Sequence, residues 1–530
     1  MKLTPRRSAA TAAVALASCL MTLSSNASAA GDTTVPANLN IGIAPAPDNL
    51  DPGAAGLAVD GWVSGNVNEP MLFAYQGKLY PGLVTKWAPS ADSKTWRLEL
   101  RKGVKFQDGT PFNAESVKAS FDHVVDPATK SRSPLAMLGP YAGTTVVDDY
   151  TAEVNFKEPN AGFLNAMANN VGEMNSPTAL KAAGSPADYA RKPVGAGPYK
   201  IDEFIPNQHI TLSAFEDYNW PPEFMGASGP AAVKKLTLRI LPDAKARANA
   251  LKTGELDIAG AIEPQDAVSL KAAGFKVTPV DATGMPYGIP INVDKFPTND
   301  VNVRRALILA TDQKQMISTL FDDQYVPATQ MLTPNTEGYD ASLKTLYATN
   351  LDRANQLLDE VGWKKGSDGI REKDGKRLEL QMINIAGFGF DQISQLLQAQ
   401  LKKAGVDVKI SAESFPTVAA TMNAGKHNLG DFFYFDLDGR DALYATLDSS
   451  QIKSGYNWAH YSNPKMDALL AKAISDTVGR EQALRDAMKI AMDDAVYIPL
   501  YDLRQLWVTS KDVSGVKFGQ TGYPLFYTAK

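Results

Sequence analysis

An α/β chain of more than one domain, with an early α+β region, is what the sequence predicts, and three observations lead there. Helix patterns followed at once by strand patterns recur in the second half of the chain, and period-two strand patterns cluster in the first third. About 500 residues follow the first thirty, more than a single core organises.

The early strands alternate cleanly. Trp96, Leu98 and Leu100 interleave with Arg97, Glu99 and Arg101, and Ala152, Val154 and Phe156 with Thr151, Glu153 and Asn155, the pattern of half-buried strands. After the first of these, Lys105-Phe106-Gln107-Asp108-Gly109 reads as a tight turn anchored by Phe106. Gly195-Ala196-Gly197-Pro198 is expected to let the backbone reverse before a strand from Tyr199 to Phe204. Farther on, Asn350 caps a helix whose apolar face is Ala354, Leu357, Leu358 and Val361, ending at Gly362. Ile393, Leu396, Leu397 and Leu401 form a second stripe that stops at Gly405, with a strand through Val406, Val408 and Ile410 behind it. Asn463-Pro464 opens a third helix, with Met466, Leu469, Leu470 and Ala473 on one face.

The first thirty residues read as a signal peptide: Lys2, Arg6 and Arg7 precede an apolar run from Ala9 to Leu23, and Ala27-Ser28-Ala29 offers a small-residue cleavage site. An exported, periplasmic protein is expected. The alternative is a lipid anchor through Cys19, because Leu16-Ala17-Ser18-Cys19 resembles a lipobox; the apolar residues after Cys19 favour simple cleavage. Cys19 is the only cysteine, which excludes an internal disulfide and a thiolate metal site. The net charge of -5 becomes -8 once Lys2, Arg6 and Arg7 are removed. A nucleic-acid or anionic-membrane binder would be basic, so those partners are disfavoured.

Ten phrases in order resemble the extracellular solute-binding proteins of the peptide, nickel and related family (family 5) that serve ABC importers. They include LDPG at 50–53, EPML at 69–72, WRLELRKGVKFQDGTPFNAESV at 96–117, VGAGPYKI at 194–201 and LKTGELDI at 251–258. The others are NVRRALILATDQKQMI at 302–317, LLDEVGW at 357–363, QLKKAGVDVKI at 400–410, YSNPKMDALL at 461–470 and YIPLY at 497–501. The resemblance implies a two-lobed periplasmic-binding-protein fold with an additional small α+β domain and a hinge of two crossing strands. On that pattern lobe I holds 31–75, 195–290 and 503–530, the extra domain 76–194, and lobe II 291–502. A monomer that delivers a solute from between its lobes to an inner-membrane permease and ATPase is implied, with a small peptide as the solute. Other solutes, such as an opine, glutathione, a sugar or a nickel chelate, stay open.

For the site, the resemblance points to DFFYFDLDGRDALY at 431–444. In peptide-binding members an aspartate three residues after an aromatic pairs with the ligand's α-ammonium, and Asp436 and Phe433 stand at those positions. The bland alternative is a loop carboxylate in an ion pair with Arg440. Where dipeptide binders carry an arginine for the ligand carboxylate this chain has Asn384, and Arg440, if it faces the cleft, would take that role bidentately. Tyr287, Phe388, Tyr434 and Trp458 are candidates for aromatic walls, against a bland role in the core. Asn68 and Glu69 are read as opening a helix at a cleft-facing turn, where Glu69 is either a ligand contact or a charge favoured by the helix dipole.

The rival class is a serine hydrolase, since Ser450-Gln451-Ile452-Lys453 fits SxxK and Lys252-Thr253-Gly254 fits KTG. Their order is reversed, and the KTG lies inside a family phrase. His123, His209, His427 and His460 are scattered without metal-ligand spacing, so neither cofactor nor protein-built metal site is expected.

Overall fold

Thr95–Leu100 is the strand that the alternation around Trp96 predicts, with Trp96, Leu98 and Leu100 buried. It pairs antiparallel with Thr151–Phe156, which buries Ala152, Val154 and Phe156. Val84–Pro89 and Tyr141–Asp148 complete a four-stranded antiparallel sheet, and the helix Ala114–Val125 packs on it through Phe121. Each large apolar side chain so buried contributes about 1.5–3 kcal/mol. The computed structural model describes residues 36–530 apart from Arg132 and residues 387–389. The segment read from sequence as a signal peptide, with Cys19, and Phe388 therefore lie outside the described residues.

A seven-stranded mixed sheet gathers Asn38–Ile43, Tyr199–Ile205, His209–Ala214, Lys235–Ile240, Ile258–Ala259 and Lys276–Asp281, and takes one strand, Arg504–Thr509, from the far end of the chain. A second group of sheets lies between those last two strands in sequence. Gly284–Pro290 sits between Phe432–Phe435 and Tyr497–Asp502 in a four-stranded sheet, and Glu379–Ile385 is flanked in parallel by Asp407–Glu413 and Leu429–Gly430. The three helices read from sequence pack around these sheets. Leu351–Glu360 is capped by Asn350, whose side chain accepts the Arg353 N–H at 2.9 Å; Asp391–Lys403 precedes Gly405, and Pro464–Ser475 is capped by Asn463.

Two strand pairs join the halves. Lys276–Asp281 pairs with Arg504–Thr509 in the seven-stranded sheet, and their continuations Gly284–Pro290 and Tyr497–Asp502 pair with each other in the four-stranded one. The chain thus crosses twice, at residues 282–283 and at Leu503, and the crossings are tied by a bond from the Ala282 N–H to the Leu503 carbonyl at 2.9 Å. Thr333 and Thr336 brace the first crossing: Thr333 Oγ1 donates to the Ala282 carbonyl at 2.9 Å, and Thr336 Oγ1 accepts the Gly284 N–H at 2.7 Å. Gly284–Pro290, assigned from sequence to lobe I, is hydrogen-bonded to strands assigned to lobe II.

Two glycines act by close approach. Gly197 has no positive φ, so reversal is not its task; a Cβ there would lie 2.7 Å from the Val67 carbonyl carbon. Gly284, at φ +100°, would place a Cβ 2.1 Å from the Tyr434 carbonyl oxygen and 2.6 Å from the Asp436 nitrogen. Gly284→Ala is expected to cost about 2 kcal/mol or more, combining a disfavoured φ with backbone overlap. Gly56→Ala, where nothing lies within 4 Å, is expected to be near neutral. Urea unfolding of the two variants side by side checks both.

Candidate functional site

The loop singled out from sequence joins the edge strand Phe432–Phe435 to the helix Gly439–Leu447. Asp438 caps that helix by accepting the Arg440 N–H at 2.8 Å. Asp436 stands two residues earlier, half-buried beside the first hinge crossing. Its N–H donates to the Thr283 carbonyl at 3.4 Å and its Oδ1 accepts the Asp438 N–H at 3.0 Å.

Four carboxyls and two guanidiniums cluster here. Arg480, 4 % exposed, pairs with Asp438, reaches Glu337 at 3.0 Å and donates to the Ala473 carbonyl at 2.6 Å. Arg440 pairs with Asp441 at 2.9 Å and lies 4.1 Å over the Tyr444 ring, leaving its buried Nε without a partner. The expected alternative of an Asp436–Arg440 ion pair is therefore corrected, because the guanidinium is held by the carboxyl next to it in the helix. Among the described residues Asp436 has no cation within 4.0 Å. Desolvation, then the charges of Asp441 and Asp438, push its carboxyl well above the usual carboxylate range.

Other sequence candidates fall in several places. Phe433 and Tyr434 are half-buried on the same strand; Phe433 meets Phe390 and Phe435 edge-on at 5.9 and 5.2 Å. Tyr287 is fully buried, stacked on Tyr501 at 5.1 Å. Trp458 is also fully buried, its indole N–H donating to Asn423 at 2.9 Å. Asn384 is buried too and donates to Ser394 at 2.6 Å, so these three are core residues in this conformation. Glu69 follows a helix and does not open one. Ala58–Val67 ends at Asn68, because Pro70 disfavours helical backbone at Glu69, so no dipole favours a negative charge there. Glu69 is buried, receives the Tyr218 hydroxyl at 3.2 Å, and is driven well above the usual carboxylate range by burial.

The residues that sequence reasoning missed are Glu337 and Arg480, and the capping role of Asp438. Arg480 follows Gly479 at the start of the helix Arg480–Asp493, where no local pattern marks it as buried. Glu337 also accepts from Asn165 at 3.1 Å, bringing residues of the early α+β region to this cluster. Ala161 N–H donates to the Ile474 carbonyl at 2.9 Å beside it.

One depression borders the cluster and a second adjoins the first. One, about 1190 Å³ including its open mouth, runs between Asn165 and Gln520 on one side and residues 334–339 and Leu437 on the other. The other, about 430 Å³ on the same measure, shares Ala74 and Gln520 with it and is lined by Asn170, Glu173 and Tyr523.

The hydrolase motifs do not converge. Ser450 is exposed and donates to Asp448 at 2.5 Å, whereas Lys252-Thr253-Gly254 ends the helix Ala244–Thr253 with Gly254 as its cap. His427 is buried and held neutral, pushed down to about 4 by desolvation, its Nε2–H donating to the Trp458 carbonyl at 2.7 Å.

Two strand crossings between sheets, with a binding cleft beside them, define the two-lobed periplasmic-binding class, and the chain shares that fold with solved members. It belongs to the bacterial extracellular solute-binding proteins, family 5, whose middle-region model matches residues 78–454. It is 27% identical over 448 residues to the glutathione-binding protein GsiB of Escherichia coli (strain K12), covering 83% of each chain. Among solved structures it is similar to NikA from Brucella suis in complex with Fe(III)-EDTA, at TM-score 0.80 and 25% identity over 93% of this chain and 99% of that one. It also matches DppA from Helicobacter pylori in complex with the peptide STSA, at TM-score 0.70 and 23% identity over 94% and 98%. No described helix is long and apolar enough to cross a membrane.

Arg480→Met is expected to destabilise the fold by about 3 kcal/mol, because Asp438 and Glu337 lose their countercharge in a buried setting. Adding Asp438→Asn is expected to recover part of that loss in denaturant unfolding.

Proposed function

We propose that this protein is the periplasmic binding component of an ABC importer, capturing a short peptide between its lobes and delivering it to a membrane permease. The observation that carries the peptide is Asp436, a carboxyl beside the hinge crossing that the protein leaves without a cation. An α-ammonium supplies the missing charge, and lobe closure buries the resulting pair. The lobes meet at residues 282–283 and at Leu503, so the strand Gly284–Pro290 moves with lobe II and carries the Asp436 loop. The peptide-bound DppA structure supports this reading by its fold.

Glutathione is the second reading, favoured by the GsiB relative; it too carries an α-ammonium, and its two carboxylates would call on the spare Nε of Arg440. Calorimetric titration separates the readings. Ala-Ala-Ala is expected to bind, its N-acetylated form at least about tenfold more weakly, and Asp436→Asn to lose that difference. Equal affinity for the free and acetylated peptides would remove the ammonium assignment.

The raised pKa of Asp436 has a stability consequence. The folded state holds the Asp436 proton more tightly than the unfolded chain, whose value is 3.8. This group's contribution to stability therefore falls as pH rises from that value through the raised folded one. Asp436→Asn is expected to flatten that part of the decline in ligand-free protein, read as thermal midpoints across the pH range. Binding a cation at neutral pH is expected to release up to about one proton from the wild type, seen as a calorimetric enthalpy that depends on the buffer.

A further inference from the structure

The smaller depression contains an acid that the Asp436 reading does not use. Glu173 follows the short turn Asn170–Gly172, is 6 % exposed, lines the depression, and its Oε2 has no hydrogen-bond partner. Asn170, 7 % exposed on the same wall, has an Oδ1 equally without one. With Glu173 ionised both unmet atoms are acceptors, so a cationic donor completes them and displaces the proton that burial otherwise keeps on the carboxyl. Among the described residues no lysine, arginine or histidine lies within 4.0 Å of Glu173. Burial pushes its carboxyl up to about 8, with the Ser64 hydroxyl pulling weakly the other way.

The depression is linked to the Asp436 loop through Tyr523 and the hinge. Tyr523 lines it and feels the charges of both Glu173 and Asp436. The loop that carries Tyr523 rests on the hinge, where a Cβ on Gly522 would stand 3.5 Å from Val280, and Asp436 is hydrogen-bonded to Thr283 three residues along. Among the described residues neither carboxyl has a countercharge within 4.0 Å, and the charge of each disfavours ionisation of the Tyr523 hydroxyl. A zwitterionic peptide with an apolar side chain neutralises only one of them.

We propose that Glu173 and Asn170 form a second cation subsite, which receives the lysine or arginine side chain of a peptide whose α-ammonium meets Asp436. The assignment of the α-ammonium rests on the peptide reading above; the subsite itself rests on the two unpartnered acceptors. It makes the preferred cargo a basic short peptide.

The test is calorimetric titration of the full mature chain with tripeptides carrying one lysine at the first, second or third position, each matched by a norleucine peptide that keeps the chain and lacks the charge. The wild type is expected to prefer lysine over norleucine by at least about tenfold at one position, and Glu173→Gln to collapse that ratio toward unity. A thermal midpoint for Glu173→Gln at or above the wild-type value shows that the variant is folded. Asp436→Asn is expected to weaken both peptides and keep the ratio. A wild-type ratio near unity at every position, no binding of any tripeptide, or a preference that survives Glu173→Gln overturns the proposal. If N-acetylated lysine peptides bind as well as free ones and still depend on Glu173, the ammonium role of Asp436 falls while the second subsite stands.

Discussion

The double crossing of the backbone at residues 282–283 and Leu503 is the constraint on which the site depends. One strand pair is split between two sheets, so the halves are joined by extended backbone tied at one bond, Ala282 to Leu503. Rotation about such a joint changes a few dihedral angles and leaves both sheets intact, which is how hinge closure avoids a large energetic cost. The hydroxyls of Thr333 and Thr336 fix the carbonyl and amide groups on either side, and Gly284 lets the Tyr434–Asp436 backbone lie directly on the crossing. The Asp436 carboxyl is therefore carried by backbone that lies directly on the joint.

Charge is distributed unevenly around that joint. Asp438 and Glu337 share Arg480, and Asp441 holds Arg440, so the neighbouring acids take up these cations and Asp436 has none within 4.0 Å among the described residues. A buried carboxyl without a partner is expensive unless it stays protonated, and a cationic ligand removes that cost. The same cluster lies where the early α+β region meets the second half of the chain, through Asn165 to Glu337 and Ala161 to Ile474. Gln520 adds a bond to the Asn335 carbonyl at 2.7 Å. Each such bond contributes only about 0.5–1.5 kcal/mol net, so these contacts tie the two regions weakly. A ligand then shifts the lobes by its own differential affinity.

Much of the scaffold was legible along the chain because its signals are local. The caps Asn350 and Asn463, the alternation around Trp96 and the stripe from Ile393 to Leu401 each occupy a window shorter than fifteen residues, and each formed the expected element. Where a local rule met a tertiary contact it gave the wrong reason or the wrong element. Gly197 is glycine because Val67 lies against it, and Glu69 follows a helix because Pro70 stops the chain from continuing one.

The sequence by itself determined the α/β elements, the family resemblance and the loop that bears Asp436, since all of these are carried by short runs of residues. Only the tertiary structure decided which acids are neutralised. Arg440 lies four residues from Asp436 and pairs with Asp441, while Arg480, 42 positions from Asp438, closes on it. Glu173 and Asn170, far from the loop in sequence, become candidates only once packing has buried Glu173 Oε2 and Asn170 Oδ1 away from the other charged groups described. Spacing in sequence sets which side chains share a helix or strand; packing and desolvation set which charge is left for the ligand to meet.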